Sequence, residues 1–479
     1  MSDTFYWHDY ETWGADPRRD RPCQFAGLRT DAELNPVGDP LVLYCRPAPD
    51  LLPQPEACLV TGITPQVALD QGLIEAEFAA RIESELGRPG TCGVGYNSIR
   101  FDDEVTRNLL YRNLRDPYAR EWRDGNSRWD LIDTLRLAHA LRPEGIQWPT
   151  REDGTASFRL EDLTAANGIA HAGAHDALAD VRATLDLARL LRRLQPRLFD
   201  YALTLRDKHL VRDLLARGQP LLHCSARYPA TLGCIAPVLP VAPHPSNGNG
   251  VICFDLREDP ALLLELPIEE IRQRLFTPAK DLPEGVQRIP LKTVHINRAP
   301  VLAPLATLTP DAAERWSIDP DLVQRRARAA AAQAPAIRER VQAAHRASEL
   351  PQPKDPDLLL YGGGFLSDGD RRLLDGLHRL SPQELARVRP GFADPRLPEM
   401  LLRYRARNWP ETLTLDEREA WDAYRLDRLT DPEGGGSITL DQYQQRLADL
   451  VQGQGGDPAR LAILDALADW AEIILDAGD

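Results

Sequence analysis

At 479 residues the chain is too long for one ordinary hydrophobic core, so roughly two to four domains are expected. Hydrophobic residues make up 43% and charged residues 27%, a soluble globular balance, and no run reaches the ~18 continuous apolar residues of a membrane span. The net charge of −15 argues against a nucleic-acid coat protein but leaves room for a local basic groove.

The start, Met1–Asp9, has no basic segment followed by an apolar one, so no secretion signal is expected. The seven cysteines have no CxxC or zinc-type Cys/His spacing and read as free thiols of a reducing cytoplasm. The aromatic run Thr4–Thr12 reads as the first strand, Leu41–Cys45 as another, and Asp31–Asp39 between them is turn-rich, a hairpin-like opening. Pro65–Leu86 is helical in pattern, Thr91–Tyr96 is a short strand, and Phe101–Leu114 and Trp129–Leu141 are amphipathic helices. Leu160–Ala166 is a short helix closed by Asn167-Gly168, and Asp176–Leu194 is a long helix with Leu178, Val181, Leu185 and Leu191 on one face.

Near Gln195-Pro196 the pattern changes. Short apolar runs at Leu221–His223, Val238–Val241, Val251–Phe254 and Thr293–Ile296, parted by Pro/Gly/Asn turns, predict a small β-rich domain. An Ala/Arg-rich helical stretch follows at Val323–Leu350, then the linker Pro351–Pro356. Residues 357–479 read as helices at Asp368–Leu380, Pro382–Val388, Pro398–Asn408, Asp416–Leu426, Leu440–Gln452 and Pro458–Leu475. The expected division is therefore 1–195, 196–350 and 351–479.

Three acidic clusters carry the chemistry. Strand side chains alternate, so Asp9 and Glu11 stand side by side on one face; two like charges that close call for a hard divalent cation, and for an isolated pair the plainer alternative is an acidic turn at a strand end. Asp102, in Phe101-Asp-Asp-Glu104, falls at a helix start, where an acid also suits the macrodipole. His175 precedes the long helix and Asp180 lies in its first turns. An imidazole exchanges a proton near neutral pH and a carboxylate behind it holds a metal; the plainer alternative is Asp176 as a helix cap with His175 exposed. Two other stretches are set aside. Asp431–Gln442 lacks the bidentate Glu of a calcium loop, and Tyr361-Gly-Gly-Gly-Phe365 lacks the Lys-Ser/Thr of a phosphate loop.

The order and spacing of these clusters resemble the DEDDh superfamily of 3′→5′ exonucleases. The resemblance extends to the bacterial exodeoxyribonuclease I family through His8–Thr12, Gly95–Asn97, Arg100–Arg107, Asn126–Asp130, Leu141–Gly145, Ser157–Leu160, Val294–Asn297 and Tyr404–Asn408. It implies an α/β chain with an RNase H-like exonuclease domain, an SH3-like β-rich domain and an α-helical C-terminal domain, arranged as a C around single-stranded DNA. It implies a processive, single-strand-specific exonuclease of DNA repair that releases 5′-mononucleotides. Asp9, Glu11, Asp102 and Asp180 would hold two Mg2+, with Mn2+ as a substitute, and His175 would be the general base. Glu11 and Arg159 would contact the substrate. The DNA path would use Arg107, Tyr118, Trp122, Arg136, Tyr201, Lys208, Asn249 and Lys292, aromatic faces and cations of the kind single strands require. A bacterial cytoplasmic monomer is implied, docking the acidic tail of the single-stranded-DNA-binding protein. Gln219 stands where that docking would favour a Lys. The residues themselves leave two rivals: a DEDDh enzyme of RNA ends, and an inactive single-strand-binding scaffold.

Overall fold

The computed structural model describes residues 4–171, 173, 175–346, 353–453 and 456–476. Residues 347–352, which include the expected 350/351 boundary and the start of the linker, lie outside the described residues, as does Ala174 beside His175. By contact the chain forms two compact units, Met1–Ser127 with Ala172–Arg182 and Pro351–Asp479, and Arg128–His171 with Ala183–Leu350.

The first unit is built on β1 (Thr4–Thr12), β2 (Pro22–Thr30) and β3 (Leu41–Tyr44), followed by α1 (Pro55–Thr61), α2 (Pro65–Gln71), α3 (Glu75–Leu86), β4 (Thr91–Gly95) and α4 (Asp102–Arg112). The sheet order is β3-β2-β1-β4-β5, where β5 (Ser127–Asp130) carries the chain into the second unit. β1 runs antiparallel to β2 and parallel to β4. Its alternation is chemically sharp. Tyr6 and Tyr10 face a core with Phe25, Phe78, Ile82, Val105 and Leu109, so α3 and α4 cover that side of the sheet. Asp9 and Glu11 point to the other side. Gly27 on β2 is required by this packing, because a Cβ there would meet the Tyr6 hydroxyl at 2.3 Å.

The C-terminal helices of this unit are tied to the sheet's flank by buried ions. Asp50 accepts from Arg21 at 2.6 and 2.7 Å and from Arg407 at 2.9 Å; Arg407 also reaches Asp357 at 2.6 Å. Burial alone would raise the Asp50 carboxyl, but the guanidiniums of Arg21 and Arg407 hold it well below the usual carboxylate range. Arg403 and Arg428 extend the network to Asp355. Trp470 and Tyr443, from the last two helices, pack with Trp13 and Cys58.

The second unit contains α5 (Leu131–Leu141), α6 (Leu160–Ala166), most of α7 (Ala177–Leu194) and a sheet of β6 (Leu221–Cys224), β7 (Ile235–Pro243), β8 (Gly250–Asp255), β9 (Leu291–His295) and β10 (Val301–Pro304) in the order β10-β6-β7-β8-β9. All its strand pairs are antiparallel. Leu137 and Leu141 of α5 share its core with Leu222, Ile235 and Trp316, and the Trp316 indole donates to the Ala140 carbonyl at 2.8 Å.

Several elements differ from expectation. The hairpin partner of β1 is β2, which the pattern did not reveal; all nine of its residues are buried, so it lacks the alternation that marks a half-exposed strand. The helix expected over Pro65–Leu86 is two, parted at Gly72. Trp129-Asp130 belong to β5, with Asp130 capping α5 through Ile132 N–H at 3.1 Å. The Ala/Arg-rich stretch is also two helices, Pro320–Ala332 and Ala334–Ala344, broken before Pro335.

Removing one member of the buried ion network strands its partners. We expect Asp50→Ala to lose about 3–5 kcal/mol of stability, because Arg21 and Arg407 are left as buried cations. Arg446→Ala, which breaks an exposed pair with Glu56, should change it by less than about 1 kcal/mol. Denaturant midpoints of the two variants, compared with wild type, check this.

Candidate active site

Three of the four expected carboxylates meet. Ligand oxygens of Asp9, Glu11 and Asp180 lie within 4.8 Å of one another, the one group among the described residues able to hold a metal in this way. Asp102 stands beside this trio rather than in it. It is the first residue of α4, buried, and its Oδ1 accepts the backbone N–H of Tyr10 at 3.1 Å, between Asp9 and Glu11. Thr106 fastens that helix start, donating to the Asp102 carbonyl at 2.8 Å and meeting the Tyr10 hydroxyl at 2.9 Å.

The electrostatics follow from crowding. Burial, then the neighbouring Asp102, Glu11 and Asp180 charges, push the Asp9 carboxyl well above its usual range. Burial, then Asp180 and Asp102, push Glu11 up to about 8. A set of hard oxygen donors that repel one another fits a divalent cation, whose attraction to each carboxylate would offset that repulsion and favour the ionised forms.

α7 delivers the remaining groups. Asp176, just before it, accepts the Ala179 N–H at 3.1 Å, so the capping alternative describes Asp176 correctly. His175 is exposed and sits at φ +69°, in the left-handed region that non-glycine residues seldom occupy, though His is enriched there. Gln24 of β2, opposite Glu11 in the register, was not expected at the site. It is buried, its Oε1 accepts the Ala177 N–H at 3.1 Å, and its Nε2 donates to Asp176 at 3.4 Å. Nothing local in the sequence marks it, since its partners are about 150 residues away.

The expected DNA-path residues fall into two groups. In the first unit Trp122 is 60% exposed and Tyr118 is half-buried against Phe365, with ring centroids 6.0 Å apart. Arg107 departs from expectation. It is buried, with a two-pronged pair to Glu121 at 2.7 and 2.8 Å and further bonds to Glu104 and Tyr361, so it bolts α4 to the 118–122 turn instead of offering an open charge. In the second unit Arg159 and Lys208 are exposed, and Gln219 is exposed. Arg136 is buried against Asp133 at 2.5 Å and over the Phe158 ring, so it too departs from an open contact. The Tyr201 hydroxyl donates to Leu302 O at 2.9 Å, Lys292 Nζ lies 4.4 Å from the Tyr228 ring centre, and Asn249 is half-buried beside the β8 start.

Comparison with known proteins agrees along the whole chain. Family models described as Exonuclease, Exonuclease I SH3-like domain and Exonuclease I C-terminal domain match residues 6–188, 206–347 and 354–474. The chain is 47% identical over 475 residues to exodeoxyribonuclease I of Escherichia coli strain K12, covering 98% of each. It superposes on exonuclease I of Methylocaldum szegediense with a TM-score of 0.94 at 53% identity, covering 99% of this chain and 100% of that one. It superposes on E. coli exonuclease I in complex with a dA16 oligonucleotide with a TM-score of 0.93 at 46% identity, covering 98% and 100%.

The crowding predicts a measurable stability effect. Glu11 binds its proton more tightly folded than unfolded. Its contribution is therefore fully present below the ordinary carboxylate range and is lost as pH rises through about 8. With chelator present, Glu11→Gln should melt higher than wild type at pH 8.5, by on the order of 2 °C or more, and no higher at pH 4. Thermal melts at the two pH values check the sign.

Proposed function

The chain belongs to the exodeoxyribonuclease I family, and from that premise we propose that it removes nucleotides from the 3′ end of single-stranded DNA. It is an exodeoxyribonuclease, working processively in DNA repair and recombination and releasing 5′-mononucleotides. The observation that carries this reading is the Asp9, Glu11 and Asp180 cluster, with Asp102 against it, in a chain that matches the family end to end. The match over all three family models disfavours both an RNA-end enzyme and an inactive scaffold. We keep the division 1–195, 196–350 and 351–479 as the functional one.

The family implies divalent metal ions, and the donor set fits them: every ligand offered is a carboxylate oxygen. We propose two Mg2+, held by Asp9, Glu11, Asp102 and Asp180, with Mn2+ able to substitute. Bound there, such ions supply charge neutralisation at the phosphate and a more acidic attacking water. The chain's own residues do the rest. An imidazole nitrogen of His175 takes the water's proton; its exposed position and the left-handed turn that presents it leave it open to solvent. Glu11 also faces the substrate, and the exposed Arg159 guanidinium pairs with a substrate phosphate. Trp122, Tyr118 and Tyr201 offer faces to unpaired bases, and Lys208, Lys292 and Asn249 meet the backbone. Arg107 and Arg136 serve this path indirectly, by bracing its walls through their carboxylate pairs.

Among the described residues no helix is long and apolar enough to cross a membrane. We place the enzyme in the bacterial cytoplasm, acting as a single chain. We also propose docking of the acidic tail of the single-stranded-DNA-binding protein, weakened by Gln219.

Two experiments test the reading. A 3′-labelled single strand should be degraded in the presence of Mg2+ and spared with chelator, while a 3′-blocked strand and blunt duplex persist. In folded Asp9→Ala, Glu11→Ala, Asp102→Ala and Asp180→Ala proteins the cleavage should vanish. Ready digestion of the 3′-blocked strand would refute the polarity.

The general base has its own test. His175→Asn should keep its affinity for DNA and metal yet lose about 10²–10⁴-fold in rate, the usual scale for proton transfer by a positioned side chain. Single-turnover cleavage and equilibrium binding separate the two. A variant at full rate would remove His175 from the mechanism.

A further inference from the structure

Resting on the exonuclease reading above, we infer that Gln24 is a positioning residue, fixing the start of α7 so that Asp180 meets the β1 carboxylates and His175 is held just before the helix. The first backbone N–H groups of a helix have no partner within it. Here Gln24 Oε1 takes that of Ala177 at 3.1 Å and the Asp176 side chain takes that of Ala179 at 3.1 Å, while the Asp176 carbonyl accepts the first regular helix bond, from Asp180 N–H at 3.1 Å. Gln24 Nε2 then donates to the other Asp176 oxygen at 3.4 Å. One amide therefore holds both the cap and the first turn.

The choice of residue is chemically narrow. Gln24 is only 1% exposed, and it stands directly across β1–β2 from Glu11, on the same face of the sheet. Asp176 already adds to the negative field on Asp9 and Glu11. A carboxylate at position 24 would accept from Ala177 but repel Asp176 and Glu11; an apolar side chain would leave a buried N–H without a partner. A neutral amide, donor at one end and acceptor at the other, satisfies both sides. Asp180 is one turn beyond Asp176, and His175 immediately precedes it. A small tilt of this helix start therefore moves a metal ligand and the general base together, while the DNA-facing side chains on other elements stay in place.

The test is a donor–acceptor exchange on the full-length enzyme with Mg2+ and a 3′-labelled single strand. Gln24→Met and Gln24→Glu should each lower kcat about 10- to 100-fold, the scale of a displacement near 1 Å, with KM within about twofold. In Gln24→Glu/Asp176→Asn the donor and acceptor are swapped, and kcat should recover about tenfold or more over Gln24→Glu. Melting temperatures are taken on every variant. Undiminished kcat in folded Gln24→Met, a loss expressed in KM or explained by melting temperature, or a swap no faster than Gln24→Glu would each overturn the inference. If Gln24→Met does not fold, the swapped pair decides. Wild type and Asp180→Asn are assayed in parallel: a wild type that releases no label with Mg2+ would overturn the exonuclease reading itself, an active Asp180→Asn would overturn the metal-site assignment on which the inference rests, and an inactive Asp180→Asn beside a fully active Gln24→Met would overturn the Gln24 role alone.

Discussion

Everything in the first unit answers to one electrostatic constraint: carboxylates on neighbouring positions of a buried strand repel. At 4.8 Å and an effective dielectric near 20, each ionised pair opposes the fold by on the order of 3–4 kcal/mol. Such a cluster survives only where its surroundings over-determine it. β1 lies between β2 and β4, its opposite face filled with Tyr6 and Tyr10 against two helices. The Tyr10 N–H and hydroxyl both engage the first turns of α4, through Asp102 and Thr106. The strand cannot turn away from its own charge, so the repulsion persists as affinity for a cation.

The C-terminal helices contribute to that rigidity from a distance. Asp50, wholly buried and held between Arg21 and Arg407, joins the chain next to β2 to a helix more than 350 residues later. Buried ion pairs are weak sources of net stability, but they are strict about geometry, because each unpaired member is costly. The network thus specifies how this segment seats on the sheet's flank. The apolar contacts of Trp13, Tyr443 and Trp470 supply the attraction.

Much of this was legible in the sequence, for local reasons. A strand's two-residue period pairs Asp9 with Glu11, and Asp102 and Asp180 are acids near helix starts, but each alone reads as ordinary strand-end or helix-start chemistry; their order and spacing together carry the resemblance that singles them out. β2 was hidden because burial on both faces erases alternation. β5 was hidden because four residues are too few to show a period before α5 begins. Gln24 was hidden for a different reason: its role is a contact across 152 residues, and a lone Gln in a strand has no pattern. Arg107 and Arg136, expected on the DNA path, are each paired with a carboxylate. A guanidinium's fork matches a carboxylate as well as a phosphate, so residue type alone does not say which it meets.

The same point resolves the acidic net charge. A total of −15 describes the sum of charges, whereas a polyanion responds to the local field of those left open. Many arginines here are closed off in internal pairs: Arg21, Arg107, Arg112, Arg120, Arg136, Arg403, Arg405 and Arg407 each meet a carboxylate at 3.3 Å or less. These guanidiniums act as structural bolts and present little field outside. Arg159 and Lys208, by contrast, are exposed. A chain can therefore be acidic overall and still bind a nucleic acid, provided its buried carboxylates are matched by buried arginines or by metal and its open cations lie along the strand's path.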